Sequence, residues 1–145
     1  MAVRTTHSVR RFAGFLYGVG ARLHRGWMKR SEPTRGRLAC AVVSVGALTL
    51  GGAGKTPVAA RLARGLSQRG YRVVLASRGY KGGARERVTV VSDGEHVFST
   101  VEDAGDEALV LVAHAPGVPV LVGPDRRIVG HHAVSAFGAE ILILD

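Results

Sequence analysis

The chain has a single cysteine, Cys40, among 145 residues. An internal disulfide is therefore impossible, and no CxxC pair exists to bind zinc or carry redox chemistry, so a reducing cytoplasm is the default compartment. Proline is scarce at 5, and the 20 glycines follow no triplet period, which excludes collagen-like and low-complexity readings. No apolar run approaches the roughly 20 residues a membrane-spanning helix needs. Acids are also few, 11 against 20 Lys and Arg, and the imbalance is local: residues 1–37 hold 9 of the bases and one of the acids. The net charge of +9 thus divides into +8 on that segment and +1 on residues 38–145. A basic N-terminal segment precedes a nearly neutral domain, so no nucleic acid is expected as a partner. What is present, 46% hydrophobic and 21% charged residues, suits a soluble globular chain with one modest core.

At about 100° per residue, Phe12, Phe15, Leu16, Val19, Leu23 and Trp27 share one sector, with Arg10, Arg11, Arg22, Arg25 and Lys29 opposite. The pattern predicts a basic amphipathic helix over residues 9–29. Its apolar stretch, Phe12 to Ala21, is too short to span a bilayer but suits the headgroup plane, where Tyr17 and Trp27 are favoured. The same residues would also serve as a helix packed on its own domain, or as a secretory signal with small residues near Ala21. The signal reading conflicts with the nucleotide site described next, which needs cytoplasmic ATP. Glu32 to Gly36 reads as a linker. The organisation expected is a membrane-peripheral helix and linker over residues 1–37 and a nucleotide-binding domain over 38–145.

Behind the linker, short β-branched runs alternate with helical stretches. Ala41–Val45 reads as a buried strand, followed by a helix from about Lys55 to Arg69 that Gly70 stops. Tyr71–Ser77 reads as a second strand. Arg87–Val91 and His96–Ser99, joined through Asp93-Gly94, read as a β-hairpin. A helix near Asp106–His114, a strand Val118–Val122, a helix near Asp125–Phe137 and a strand Glu140–Leu144 complete the series. Strands alternating with helices predict an α/β fold with a mostly parallel sheet, whose ligands bind beyond the carboxyl ends of the strands.

Directly after the first strand stands Thr49-Leu50-Gly51-Gly52-Ala53-Gly54-Lys55-Thr56, which matches the P-loop pattern except that Thr49 replaces its first glycine. Glycines let consecutive N–H groups curl around phosphate oxygens, and the following helix presents its positive end to them. Lys55 is suited to the β- and γ-phosphates of ATP and the Thr56 hydroxyl to Mg²⁺. A chance glycine-rich turn is the alternative, and the strand-loop-helix context argues against it. P-loop enzymes also need a carboxylate at the end of a neighbouring strand, and Ile141-Leu142-Ile143-Leu144-Asp145 supplies one. Any buried strand can end in an acid, but paired with the P-loop Asp145 becomes a candidate metal ligand. Asp106 and Glu107 open a predicted helix, where acids also serve as caps or first-turn charges. His131 and His132 read as surface or packing residues, and Cys40 as a small buried hydrophobe.

The ordered set VSVGALTLGGAGKTP, YRVVLASRGYKGG, AGDEALVLVA, PVLVG-DR and ILILD, with FLYGVGARLHR in the basic helix, resembles the tetraacyldisaccharide 4'-kinase family of lipid A biosynthesis. The resemblance implies a P-loop kinase that uses ATP and Mg²⁺ to phosphorylate the 4'-hydroxyl of a lipid A disaccharide precursor at the inner face of the cytoplasmic membrane. The N-terminal helix would help to dock it there. It further implies that Thr49 to Thr56 form the ATP loop and that Asp145 matches the first acid of the family's D-D-G-F-Q-H segment. Asp106 would match the acid that deprotonates the sugar hydroxyl, and Arg78-Gly79-Tyr80 the S-R-G-Y segment beside the site.

Three departures from the family pattern stand out. Ala47 replaces an Asn, Ala108 replaces a Pro, and family members are more than twice this length. The chain looks cut short at Asp145, lacking the second acid and a C-terminal domain with a His that assists the base, so nucleotide binding is expected and turnover is not. Three rival readings remain. One is a membrane-associated ATPase of the partitioning and division-site type, although Leu50 stands where that class has a lysine. The second is a non-catalytic fragment, nucleotide-binding or membrane-associated, and the third a nucleic-acid binder, supported only by the N-terminal arginines.

Overall fold

A computed structural model describes residues 36–46, 54–79 and 87–145. The predicted helix over 9–29 lies outside the described residues, as do Thr49, Leu50, Gly51, Gly52 and Ala53. The described elements are β1 (Ala41–Ser44), α1 (Lys55–Ser67), β2 (Val73–Ser77), β3 (Thr89–Ser92), a single turn α2 (Val101–Ala104), α3 (Asp106–His114), β4 (Val120–Val122), α4 (Arg126–Phe137) and β5 (Ile141–Leu144).

The strands form one five-stranded sheet in the order β1-β5-β2-β4-β3. The first four are parallel, with Ala41 beside Ile141, Val73 beside Ile141 and Leu75 beside Val120. Strand β3 closes the edge antiparallel to β4, with a bulge between Val90 and Ser92.

Side chains alternate across a strand, and here both faces are covered. Val73, Leu75, Val120, Val122 and Ile143 pack on one face against Ala59, Ala60 and Ala63 of α1 and Ala108 and Leu111 of α3. Val74, Ala76, Leu121 and Leu142 pack on the other face against Val129 and Ala133 of α4. The handedness of crossovers accounts for the sides. The connection from β1 to β2 runs one way along the sheet and that from β4 to β5 runs back, so right-handed crossings place α1 and α4 on opposite faces. Small alanines on α1 allow that helix to lie close to the strands.

One sequence expectation is corrected. Ala41–Val45 is not a buried strand: the order puts β1 at a sheet edge, and Val42 is 48% exposed. The Asp93-Gly94 turn forms, with Asp93 Oδ1 accepting from Glu95 N at 2.8 Å and His96 N at 2.7 Å. The second arm pairs back on β3 through the Ser92–Val97 bridge and Phe98 N to Val91 O at 2.9 Å, while the other edge of β3 pairs with β4. Among the described residues, no helix is long and apolar enough to cross a membrane.

Candidate functional site

Helices α1 and α4 follow parallel strands and begin at the carboxyl edge of the sheet; β3 runs antiparallel, and the chain turns back past Val97 before α3, where a Cβ on Gly79, just past β2, would stand 3.6 Å from Ala104 O. Helices α1, α3 and α4 therefore bring Lys55, Asp106 and Arg126 to the edge where β5 ends in Asp145 and β2 ends before Arg78. Residues spread over 90 positions of sequence share one rim because each stands at the first turn of a helix or just past a strand.

At the start of α1, Gly54 takes a left-handed conformation, φ 67° and ψ 23°, which glycine adopts without penalty. Gly54 has no side chain to cap this end and the first turn holds no acid, so among the described residues the helix presents its N–H groups and positive dipole end unneutralised. Lys55 is exposed and Thr56 half-buried. The sequence places the same residues here for the same reason: a left-handed glycine lets the chain turn from loop to helix with its amides converging.

Asp145 continues β5 by donating its main-chain N–H to Ala76 O at 2.9 Å. Its Oδ1 is buried and has no hydrogen-bond partner in the described protein. A carboxylate oxygen left bare in this way costs about 1–3 kcal/mol of desolvation unless a ligand satisfies it. Its main-chain oxygen accepts from Arg126 Nη2 at 3.1 Å. Burial pulls the Arg126 guanidinium down from its ordinary value, the like charge of Arg78 adds to this, and Asp145 opposes both. Arg78 and Asp145 therefore both lie within electrostatic reach of Arg126.

Asp106 is exposed at the head of α3, where its Oδ1 accepts from Glu107 N at 3.0 Å. Gly105, at φ 83° and ψ 158°, separates α3 from α2 and sets the angle at which Asp106 projects. On the next helix Asp125 caps α4, accepting from Arg127 N at 2.9 Å and from Arg127 Nη2 at 2.7 Å. These hydrogen bonds, the side-chain ones first, hold its carboxyl at about 2.

A family model for Tetraacyldisaccharide-1-P 4'-kinase matches residues 7–145. The chain belongs to this family. Among its tetraacyldisaccharide 4'-kinase relatives, that of Syntrophus aciditrophicus is 43% identical over 129 residues, covering 89% of this chain and 34% of the relative. That of Desulfatibacillum aliphaticivorans is 41% identical over 140 residues, covering 97% and 38%. The crystal structure of the "apo" form LpxK from Aquifex aeolicus in complex with ATP superposes with a TM-score of 0.79 at 30% identity, covering 95% of this chain and 42% of that one. The chain thus spans about two fifths or less of the length of the tetraacyldisaccharide 4'-kinases it matches.

Of the positions that the family pattern points to, Gly54, Lys55, Thr56, Arg78, Asp106 and Asp145 all fall on this one rim. His131 is exposed on α4, and His132 packs edge-on to Phe137 with ring centroids 6.2 Å apart, so neither joins the site. Cys40 precedes β1 at the opposite edge, partly buried, with its thiol pushed up by burial. Arg126 ends the PVLVG-DR segment that carries the resemblance, but sequence reasoning gave it no role. Its signal was an arginine in the turn from β4 into α4, the same strand-to-helix position that drew attention to Lys55.

Proposed function

We propose that the chain carries the nucleotide-binding edge of an ATP-dependent lipid kinase that phosphorylates the 4'-hydroxyl of a tetraacyldisaccharide 1-phosphate in lipid A biosynthesis. The observation that carries this reading is the pairing, at the ends of neighbouring strands β1 and β5, of an uncapped Gly-Lys-Thr helix start with a buried, unsatisfied carboxylate oxygen. The names and ATP complex of the relatives support it.

Thr49 to Thr56 would wrap the phosphates of ATP, with Lys55 at the β- and γ-phosphates. The Thr56 hydroxyl and Asp145 Oδ1 are hard oxygen donors, and the bare carboxylate oxygen fits a divalent cation. The cation expected beside a P-loop is Mg²⁺, which keeps water and phosphate oxygens for most of its positions. Bound there, Mg²⁺-ATP supplies the phosphoryl group and neutralises its developing charge. Asp106 orients the acceptor hydroxyl and takes its proton, a role open to an exposed carboxylate at this rim. Residues 9–29 form the peripheral anchor that brings the site to the inner face of the cytoplasmic membrane. Removal of residues 1–30 then abolishes sedimentation with anionic liposomes and spares ATP binding.

The test is Mg²⁺-dependent transfer of labelled γ-phosphate to tetraacyldisaccharide 1-phosphate, alongside nucleotide binding, in this chain and its Lys55→Ala variant. Transfer and binding that both vanish in the variant support the kinase reading. Binding lost in the variant with no transfer by the unaltered chain favours a non-catalytic nucleotide-binding protein, consistent with its coverage of about a third of its relatives. Nucleotide binding that survives the substitution overturns the site.

A further inference from the structure

The net charge of +1 on residues 38–145 hides a division. Residues 55–72 hold five Lys and Arg and no acid, whereas residues 88–125 hold seven acids and neither Lys nor Arg. The fold sets the two stretches apart along the sheet. The first is built on α1, packed over β2 and β5, and the second runs from β3 at one sheet edge through α2, α3 and β4.

At about 100° per residue, Val58, Arg61, Leu62, Gly65 and Arg69 share one sector of α1, opposite Ala59, Ala60 and Ala63, which are buried against the sheet. Val58 is 57% and Leu62 37% exposed, and Arg61, Arg64 and Arg69 are exposed beside them. Among the described residues, none of these three arginines pairs with a carboxylate, in contrast to Arg72 with Glu140 and Arg127 with Asp125. An open groove of about 870 Å³ follows this face from Pro57 to Arg69 and reaches His114 of α3. Guanidinium forks on long stems beside short aliphatic side chains, with no acid among them, suit an anionic lipid surface. The forks bind headgroup phosphates while the aliphatic groups enter the boundary beneath. The same face of a second copy has the wrong sign, and a nucleic acid offers phosphates to the arginines but no apolar layer to Val58 and Leu62.

We infer that the outward face of α1 is a membrane-contact surface, on which Arg61, Arg64 and Arg69 bind the headgroups of anionic lipids and Val58 and Leu62 enter the acyl boundary. The inference rests on the membrane-peripheral reading above and names a surface of the nucleotide-binding domain itself. The anchor proposed for residues 9–29 brings the chain to a bilayer, and the α1 face decides which side of the domain meets the headgroups. Three arginines alone hold a chain there weakly, so the anchor remains necessary. The acidic stretch on the other side of the sheet is repelled by the same lipids, which adds to the orientation. With α1 lying in the surface plane, Lys55 at its head and the carboxyl rim stand within reach of a lipid acceptor.

The experiment titrates the full chain with vesicles of phosphatidylglycerol in phosphatidylcholine and with vesicles of phosphatidylcholine alone. It compares the parent with Arg61→Gln/Arg64→Gln, the charge-matched Arg37→Gln/Arg87→Gln, Leu62→Gln and Lys55→Ala. An arginine near an anionic surface contributes about fivefold in affinity, so Arg61→Gln/Arg64→Gln should lose roughly 25-fold on the anionic vesicles. Arg37 and Arg87 are exposed outside α1, and their removal should cost only the few-fold effect of net charge. Leu62→Gln should lose affinity several-fold and keep that loss at high salt, which screens the arginines but not the apolar contact. Mg²⁺-ATP affinity and melting temperature should stay at the parent level in Arg61→Gln/Arg64→Gln, because neither side chain stands at the carboxyl rim. Equal losses in the two double variants, or no loss in Leu62→Gln, overturn the α1 surface. A parent chain that ignores anionic vesicles overturns it outright, and retention of duplex DNA in that case assigns the face to nucleic acid. Failure of the nucleotide reading is separate: ATP affinity indifferent to Lys55→Ala removes that site and leaves the vesicle comparison intact.

Discussion

Three glycines in similar settings are predicted to respond to alanine in three different ways. A Cβ on Gly123 would stand 2.6 Å from Arg87 O and 2.6 Å from Val129 Cγ2, distances that real Cβ atoms do not show. The oxygen belongs to the backbone entering β3 and the methyl to a buried valine of α4, so relief requires β3 or the turn into α4 to move. Overpacking of this kind costs about 1–3 kcal/mol. At about 4–8 °C per kcal/mol for a unit of this size, melting falls by roughly 4–24 °C. Because the displaced turn leads to Arg126, ligand affinity should fall with it. Gly65 lies inside α1, and its Cβ would meet only Arg69 Nη1 at 3.7 Å, an ordinary contact. Gly65→Ala therefore gains the helix propensity difference of about 0.5–1 kcal/mol and raises melting by several degrees. Gly130 is intermediate: the new methyl would overlap Leu38 Cδ1, the end of a flexible side chain, so the helical gain and the repacking largely offset. Thermal melts of the three variants on the full chain give the order Gly65→Ala, Gly130→Ala, Gly123→Ala from most to least stable. A Gly123→Ala protein that melts within a degree of the parent and binds nucleotide normally would refute the steric argument.

Asp125 provides a pH test. Its folded carboxyl is held at about 2 by Arg127, so its contribution is full above the ordinary carboxylate value and declines as pH falls from about 4 towards 2. The stability gap between the parent and Asp125→Ala should stay constant from pH 7 to 5 and close below pH 4 in urea titrations. Leu111 is fully buried between α3 and the sheet, and Leu111→Ala should lose about 2–5 kcal/mol, a large part of a typical domain's margin, measured by the same titrations. Asp145→Asn keeps the main-chain bonds to Ala76 and Arg126 but removes the candidate cation ligand. Nucleotide affinity in that variant should lose its dependence on Mg²⁺ while the melting temperature changes little.

How much of this was legible in the sequence depends on whether a signal was local. Helix α3 begins at Asp106 and ends at His114, as the apolar spacing and flanking residues predict, and α4 starts directly after its Asp125 cap. The strand from Tyr71 begins two residues late, because Tyr71 N is drawn back to Leu66 O and finishes the turn after α1. The hairpin forms about Asp93-Gly94 as its turn residues predict, with Phe98 N donating to Val91 O at 2.9 Å. What the turn could not show is that β3 is the arm that joins the sheet, through β4, while Val97 and Phe98 stand 55% and 61% exposed. The edge position of β1 was equally invisible, since Ala41-Val42-Val43-Ser44 reads alike at the centre or rim of a sheet. Within the site, the glycines and acids carried recognisable patterns, whereas Arg126 has meaning only once β4 and β5 are placed two strands apart with α4 between them.

The charges around α4 show how such a residue is kept available. Asp125, Arg126 and Arg127 are consecutive, and an acid beside two arginines could neutralise either. The cap geometry decides: an acid at this position accepts from the N–H two residues on, and the Arg127 side chain folds back onto the same carboxylate through Nε at 3.1 Å and Nη2 at 2.7 Å. Arg126, about 100° further back around the helix, turns inward to Asp145 O. At the opposite edge of the sheet Arg72 binds Glu140 through both main chain and side chain and holds Gly138 O at 2.7 Å, closing the end of α4. The carboxylates near the other arginines are thus committed to holding α4 in place at its two ends. Arg126 is left over, so the same pairings that fix the helix leave this arginine free to turn to Asp145 O at the rim where Lys55 and Asp106 also stand.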